Sequence, residues 1–166
     1  MKILMIYPQI DAPLGTNHGI ASLAGVLHAN DHELDLMHVS EKYKPVPSSE
    51  EIIEYIRETK AVLLGFSLMS QQMEWVEEKS KDIRKVMPEL VKVIGGVHCT
   101  MVPDEVHKSK MFDYVCVGEG DWALLELMDS LEKGETPHTL ANFRSWMGGV
   151  PVSNPVAPFP DLDLSL

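Results

Sequence analysis

The chain is poor in cysteine and in basic residues, and both shortages narrow its possible functions. Its 166 residues include two cysteines, Cys99 and Cys116, with no CxxC pair and no zinc-like spacing. Lysine and arginine number 14 against 25 acidic residues, which gives a formal net charge of −11. Because nucleic acids and anionic membrane surfaces are bound mainly through basic side chains, we expect neither partner. We expect the thiols to be reduced and the protein to be cytoplasmic.

Long apolar runs and the dinucleotide-binding glycine motif are also missing. The N-terminal run Met1–Tyr7 is far shorter than the ~20 residues of a membrane span, and no small-residue cleavage site follows it. It is typical of a buried first strand. A dinucleotide-binding domain needs GxGxxG after that strand, whereas the loop here offers only Gly15 and Gly19.

What the sequence does contain is a core for one domain, since 45% of its residues are hydrophobic. Short apolar runs alternate with amphipathic stretches, as in βα units around a parallel sheet. The predicted strands span 2–7, 33–39, 61–67, 91–95 and 113–117. The predicted helices span 18–29, 49–59, 71–87, 103–108 and 121–133. We therefore predict an α/β fold, a flavodoxin-like (Rossmann-like) three-layer sandwich whose five-stranded parallel sheet has the order 2-1-3-4-5.

Several helix boundaries carry local signals. Ser48 or Ser49 precedes two glutamates and is predicted to cap the second helix. Pro103 suits the first turn of a short helix, and Asp121 is predicted to cap the last one. Gly134 follows the last apolar position of that helix, where a C′ glycine is expected.

The C-terminal part differs in character from the rest. Residues 143–152 contain a Gly-Gly turn between two extended runs, which predicts a hairpin outside the main sheet. Residues 155–166 are interrupted by prolines and are typical of a linker, so we expect the natural chain to continue. The predicted division is a domain over 1–140 and a hairpin with linker over 141–166.

Three apolar strands end in loops of small residues, at Ser67, at Gly95-Gly96 and at Gly118-Glu119-Gly120. If these strands are parallel neighbours, their loops share the edge of the sheet where open α/β folds bind ligands. Glycine and serine leave the backbone accessible there. The loop over 8–19 is long and rich in turn residues, which is typical of a binding loop.

The order of these loops resembles the cobalamin-binding domain that precedes radical S-adenosylmethionine domains, as in the anaerobic Mg-protoporphyrin monomethyl ester cyclase family. The resemblance rests on Ser67-Leu68-Met69, Gly95-Gly96-Val97-His98 and Gly118-Glu119-Gly120-Asp121, where Asp121 replaces the last glutamate of the family's GEGE stretch. It implies that this chain binds cobalamin. Because CxxxCxxC is absent, S-adenosylmethionine and a [4Fe-4S] cluster are expected in a missing downstream domain of a methyltransferase or oxidative cyclase. We expect no catalytic or metal-ligating residue in this chain.

The resemblance also implies where the cofactor is contacted. In the wider cobalamin fold the serine of a Ser-x-Leu stretch lies beside the displaced dimethylbenzimidazole. Ser67 matches that serine, whereas Met69 departs from the pattern. Gly95 and Gly96 are implied to border the nucleotide tail. Related domains ligate cobalt with the histidine of a DxHxxG motif, but that spacing is missing here, so we expect His18 to approach the corrin without ligating cobalt. The expected cofactor-binding residues are Gly15, Thr16, His18, Ser67, Leu68, Met69, Gly95, Gly96, His98, Gly118, Glu119 and Gly120.

Other interpretations stay open at this point. Ser67 and Ser70 are also suited to capping the third helix, His98 to an ordinary loop position and Glu119 to a structural role in its turn. A phosphorelay receiver is excluded because Phe66-Ser67-Leu68 stands where its phosphoacceptor aspartate belongs. The alternative functions are a flavin-binding flavodoxin-like domain and a non-catalytic docking domain with an empty crevice.

Overall fold

The computed structural model describes residues 1–158, and the part of the predicted linker over 159–166 lies outside them. The strands are β1 Lys2–Pro8, β2 Glu33–Val39, β3 Leu63–Ser67, β4 Val91–Gly95, β5 Tyr114–Cys116, β6 Phe143–Met147 and β7 Val150–Ser153. The helices are α1 His18–Ala29, α2 Ser49–Thr59, α3 Met73–Val86, α4 Val97–Met101, α5 Pro103–Lys108 and α6 Asp121–Glu132. No helix within residues 1–158 is long and apolar enough to cross a membrane.

These strands form one sheet in the order β2-β1-β3-β4-β5-β6-β7. The first five strands are parallel, which confirms the predicted order 2-1-3-4-5. Alternate residues of β1 enter different cores, with Leu4 and Ile6 on one face of the sheet and Ile3 and Met5 on the other. Helices cover both faces, so the predicted three-layer sandwich is confirmed.

The hairpin exists, but its expected position outside the main sheet was wrong. Strand β6 pairs antiparallel with β5, and β7 pairs antiparallel with β6. The reason is the short β5, whose residues Tyr114, Val115 and Cys116 are all buried. A buried strand needs partners for its backbone groups on both sides, and the hairpin supplies them on the side away from β4.

The helix ends largely follow the local signals. Ser48, and not Ser49, caps α2 through a capping box, in which Ser48 Oγ accepts from Glu51 N at 3.2 Å and Ser48 N donates to Glu51 Oε2 at 2.8 Å. Pro103 occupies the first turn of α5, and Gly134 follows α6 with a φ of 78°. The predicted third helix instead begins as a 3₁₀ turn over Ser70–Gln72 before α3.

Candidate functional site

A cavity of about 610 Å³ lies at the carboxyl ends of β1, β3, β4 and β5, and we call it the carboxyl-edge cavity. Its residues come mainly from the strand ends, the start of α1, helix α4 and the loop before α6. This is the edge at which parallel α/β sheets bind ligands. The expected site residues found in its wall are Thr16, His18, Ser67, Leu68, Met69, Gly95, Gly96, Gly118, Glu119 and Gly120.

The two remaining expected residues, Gly15 and His98, do not line this cavity. Gly15 N donates to Gln9 Oε1 at 3.4 Å, which holds Gly15 against the preceding segment of its own loop. Gln9 is itself fixed by His38, whose Nε2 lies 2.7 Å from Gln9 Oε1. The half-buried His98 hydrogen-bonds instead with Ser70, with Nδ1 and Oγ 2.9 Å apart. Both residues shape the surroundings of the cavity.

Gly96 brings two strand ends unusually close together. A Cβ atom at Gly96 would lie 2.7 Å from Leu68 O and 2.9 Å from Leu68 N. Its φ of 100° is also a conformation that residues with a side chain rarely adopt. At Gly95 a Cβ atom would meet only Cys116 Cβ, at 3.4 Å. Gly96 is therefore required for the local fold, whereas a larger residue at Gly95 would mainly occupy the cavity.

Ser67 contributes a hydroxyl to the cavity wall, and its hydrogen-bond partner comes from the loop after β1. Ser67 Oγ accepts from Asn17 Nδ2 at 3.3 Å, and Asn17 Oδ1 accepts from Ile20 N at 3.0 Å to cap α1. No side chain caps the 3₁₀ turn or α3, so the alternative that Ser67 and Ser70 cap the third helix was wrong. The Ser67–Asn17 contact links the β3 and β1 loops.

The turn after β5 is held from both sides. Gly118, with a φ of 81°, donates from its N to Thr100 Oγ1 at 3.0 Å. Glu119 O accepts from Asn142 Nδ2 at 2.6 Å, so this residue supports the turn through its backbone. Asp121 does not cap α6, which corrects the prediction. Instead Asp121 Oδ1 is buried in the cavity wall without a hydrogen-bond partner among the described residues.

The carboxyl-edge cavity also contains residues that the sequence analysis missed. They include Met5, Tyr7, Asn17, Leu23, Gly65 and Cys116. Burial, helped by the nearby charges of Glu119 and Asp121, raises the pKa of Cys116 to about 12. The Cys116 thiol is therefore protonated at neutral pH and is a poor nucleophile or metal ligand. Within residues 1–158 no group of three or more His, Cys, Asp and Glu side chains is arranged to hold a metal ion.

The fold and cavity define a doubly wound α/β domain with a cavity of ligand size at the carboxyl edge of its sheet. The family described as B12 binding domain matches residues 12–128 of the chain. The chain therefore belongs to the B12-binding domain family.

Two curated relatives are each named anaerobic magnesium-protoporphyrin IX monomethyl ester cyclase. The protein from Rubrivivax gelatinosus is 26% identical over 141 residues, which covers 81% of this chain and 25% of the relative. The protein from Cereibacter sphaeroides is 26% identical over 143 residues, covering 80% of this chain and 22% of the relative. The chain thus spans about a quarter of the length of these relatives.

Solved structures share the fold across almost the whole chain. The radical S-adenosylmethionine methyltransferase TsrM from Kitasatospora setae, with cobalamin and a [4Fe-4S] cluster bound, gives a TM-score of 0.79 at 17% identity. That match covers 93% of this chain and 30% of TsrM. The cobalamin-dependent S-adenosylmethionine radical enzyme OxsB, with aqua-cobalamin and S-adenosylmethionine bound, gives a TM-score of 0.75 at 14% identity. That match covers 95% of this chain and 22% of OxsB.

Proposed function

We propose that the carboxyl-edge cavity holds cobalamin, with the glycine loops after β4 and β5 against the cofactor. The observation that carries this proposal is the open backbone at Gly95 in the cavity wall, where a Cβ atom would meet only Cys116 Cβ. The volume of about 610 Å³ lies within the usual range of ligand sites, and further space opens outward from it. Family membership favours cobalamin over the flavin alternative.

The polar groups of the cavity fit the amide-rich periphery of cobalamin. Asp121 Oδ1 is a buried acceptor that lacks a donor among the described residues, and an amide N–H of the cofactor would supply one. The Ser67 hydroxyl already accepts from Asn17 and keeps its own hydrogen to donate. We assign Ser67 and Leu68 to the nucleotide tail and Gly118, Glu119 and Gly120 to the far side of the ring.

For His18 we propose contact with the cofactor without cobalt ligation. His18 is exposed at the first residue of α1, and its loop lacks the DxHxxG spacing of histidine-ligating relatives. Thr16 precedes it in the same wall. In this arrangement the start of α1 would cover the edge of the cofactor, and His18 would contact it without ligating cobalt.

We further propose that the domain over 1–140 belongs to a longer radical S-adenosylmethionine enzyme, a methyltransferase or an oxidative cyclase. Residues 141–166, whose strands β6 and β7 complete the sheet of this domain, would then lead into the catalytic domain. Cobalamin supplies a cobalt centre that can carry a methyl group or change redox state, while this chain holds and orients it. The buried free thiols Cys99 and Cys116 support a cytoplasmic location.

The test is a visible-absorbance titration of the 166-residue chain with hydroxocobalamin. We expect a saturable spectral change in the wild type, whose band positions also report whether the lower base is displaced. Gly95→Leu places its side chain in the cavity, so we expect binding to weaken about 100-fold or more. The matched control is Gly25→Leu on α1, where a Cβ atom has nothing within 4 Å.

The outcomes separate the proposed function from its alternatives. Equal binding by wild type and Gly95→Leu would place the cofactor elsewhere. No spectral change in a folded wild-type chain would contradict the proposal. A parallel titration that quenched flavin mononucleotide fluorescence would then favour the flavin-binding domain, and no response to either ligand would favour the docking domain.

A further inference from the structure

The segment 154–157 follows β7, and we call it the strap. Strand β7 runs in the same direction as β5, because each of them is antiparallel to β6, so the strap begins at the carboxyl edge of the sheet. A Cβ atom at Gly118 would lie 3.2 Å from Val156 Cγ1, which places the strap against the turn after β5. The strap itself does not line the carboxyl-edge cavity, whereas that turn does. Any effect of the strap on a ligand therefore passes through the turn.

Hydrogen bonds hold the strap at both of its ends. At the first end, Asn154 donates to Phe143 O from its backbone N at 3.2 Å and from Nδ2 at 3.0 Å. At the other end, Ala157 N donates to Asn142 Oδ1 at 2.6 Å. Between them, Pro155 O accepts from Asn142 N at 3.0 Å. The strap therefore has a defined position, and Asn142 contacts it through both backbone and side chain.

Asn142 connects the strap to the turn after β5. Its O accepts from Val117 N at 2.8 Å, and its Nδ2 donates to Glu119 O at 2.6 Å. The side-chain oxygen thus faces the strap and the side-chain nitrogen faces the turn. An amide turned over by 180° would lose both bonds, because Oδ1 only accepts and Nδ2 only donates. The N–H of Ala157 therefore fixes the orientation in which Asn142 supports Glu119.

The strap is held loosely compared with the residue that anchors it. Pro155, Val156 and Ala157 are exposed, with 55% of Val156 accessible, whereas Asn142 is only 5% exposed. Segments with few buried apolar contacts open at a low free energy while the rest of the domain stays folded. A small difference in ligand affinity between the closed and open forms is then enough to shift their populations.

We propose that the strap is a positioning element of the cofactor site, and that strap closure and cobalamin binding strengthen each other through the Asn142 amide. This inference rests on the proposed binding of cobalamin in the carboxyl-edge cavity. A cofactor against Gly118, Glu119 and Gly120 fixes the turn after β5. The fixed turn holds Asn142 Nδ2, and Asn142 Oδ1 in turn holds the strap. Because such coupling is reciprocal, opening the strap lowers cobalamin affinity by the same factor.

The first test measures amide hydrogen exchange by nuclear magnetic resonance in the ¹⁵N-labelled 166-residue chain. We expect saturating hydroxocobalamin to slow exchange of the Ala157 N–H about tenfold, since this N–H is released only when the strap opens. The control is the Gly149 N–H, in the turn between β6 and β7 at the far end of the same hairpin. Its exchange should be unchanged by the cofactor.

The second test removes the link at the strap. Ala157→Pro lacks the N–H that Asn142 Oδ1 accepts, so we expect hydroxocobalamin binding to weaken about fivefold in the visible-absorbance titration. The conservative variant Ala157→Ser keeps the N–H and should bind like wild type. In an Asn142→Gly background, which lacks the amide, Ala157→Pro should weaken binding no further. A general loss of stability would not produce this dependence on Asn142.

The outcomes separate this inference from the proposed function. Hydroxocobalamin binding by wild type with unchanged Ala157 exchange would overturn the role of the strap alone. So would equal binding by wild type and Ala157→Pro, or an equal further loss from Ala157→Pro in the Asn142→Gly background. A folded wild-type chain that does not bind hydroxocobalamin would contradict the proposed function and this inference with it. The exchange measurement needs no variant, so it decides even where a variant folds poorly.

Discussion

Backbone shapes the cavity at the carboxyl edge of the sheet, whereas side chains shape the cavity at the amino edge. Gly95 leaves backbone open in the wall of the first cavity, while Gly96 allows the β4 end to approach the Leu68 backbone closely. Phe112 and Trp146 line the second cavity, of about 390 Å³ at the amino ends of β4 and β5, with their rings. The two cavities of one sheet therefore differ in what forms their walls.

The largest effect on stability is expected at Gly96, where the close approach of two strand ends requires a residue without a side chain. Gly96→Ala should lower the free energy of unfolding by about 2–4 kcal/mol, because its Cβ would press on Leu68 backbone atoms at a φ of 100°. Gly134 has a φ of 78°, but a Cβ atom there would meet nothing within 4 Å. Gly134→Ala should therefore lower the free energy of unfolding by only about 1 kcal/mol. Urea denaturation measures both. Equal losses would show that backbone strain alone, and not close approach, requires Gly96.

A smaller effect is expected for Asn142, which supports the carboxyl edge from the hairpin. Asn142→Gly keeps the left-handed backbone, with a φ of 67°, but removes the hydrogen bonds to Glu119 O and from Ala157 N, each 2.6 Å long. We expect a loss of about 2 kcal/mol in unfolding free energy and about tenfold weaker hydroxocobalamin binding. Asp31→Gly is the control, since Asp31 is exposed and has a similar left-handed φ of 61°. Unchanged cofactor binding in Asn142→Gly would show that the turn after β5 does not need this support.

The smallest effect is expected on the amino-edge side, at the buried Lys92. Its Nζ donates to Ser80 O at 2.9 Å and Ser80 Oγ at 2.6 Å, without a carboxylate, and burial lowers the pKa of Lys92 to about 8. Between pH 8 and the ordinary value of 10.5, the unfolded chain holds a proton that the folded chain has released. The destabilisation by Lys92 is therefore greatest below pH 8 and fades as the pH rises.

The Lys92→Met variant should consequently have a higher free energy of unfolding than wild type at pH 7, and this difference should shrink toward pH 9.5. We expect the difference between the two pH values to be about 1–2 kcal/mol, measured by urea denaturation. Lys81→Met on the exposed side of α3 should show no such pH dependence. A constant difference between wild type and Lys92→Met across this range would mean that Lys92 keeps its proton when buried.

The parallel core was predictable because its signals are local. Apolar runs mark the strands, and Ser48 with Glu51 marks the start of α2. The position of the hairpin was not predictable in this way, since a Gly-Gly turn indicates that two strands pair but not which third strand they join. The short helix α4 was missed because five residues carry too little periodicity.

The candidate site was predictable to the extent that glycine and serine stand at strand ends. Gly65 could have been recognised too, because a glycine inside an apolar strand indicates a close approach, here to Met5 Cε. The position of Gly15 could not have been predicted, since it depends on the contact between Gln9 and His38, which lie 29 residues apart in sequence. Nothing in the local sequence indicates that contact.

Pro151 has a further effect, on how copies of the chain behave toward one another. Among residues 1–158, β7 is the outermost strand beyond β6, and Pro151 pairs there with Trp146. Proline has no N–H to offer a neighbouring strand, so a second chain cannot extend the sheet smoothly along β7. At the high concentrations of expression and purification, Pro151 therefore hinders edge-to-edge pairing along β7.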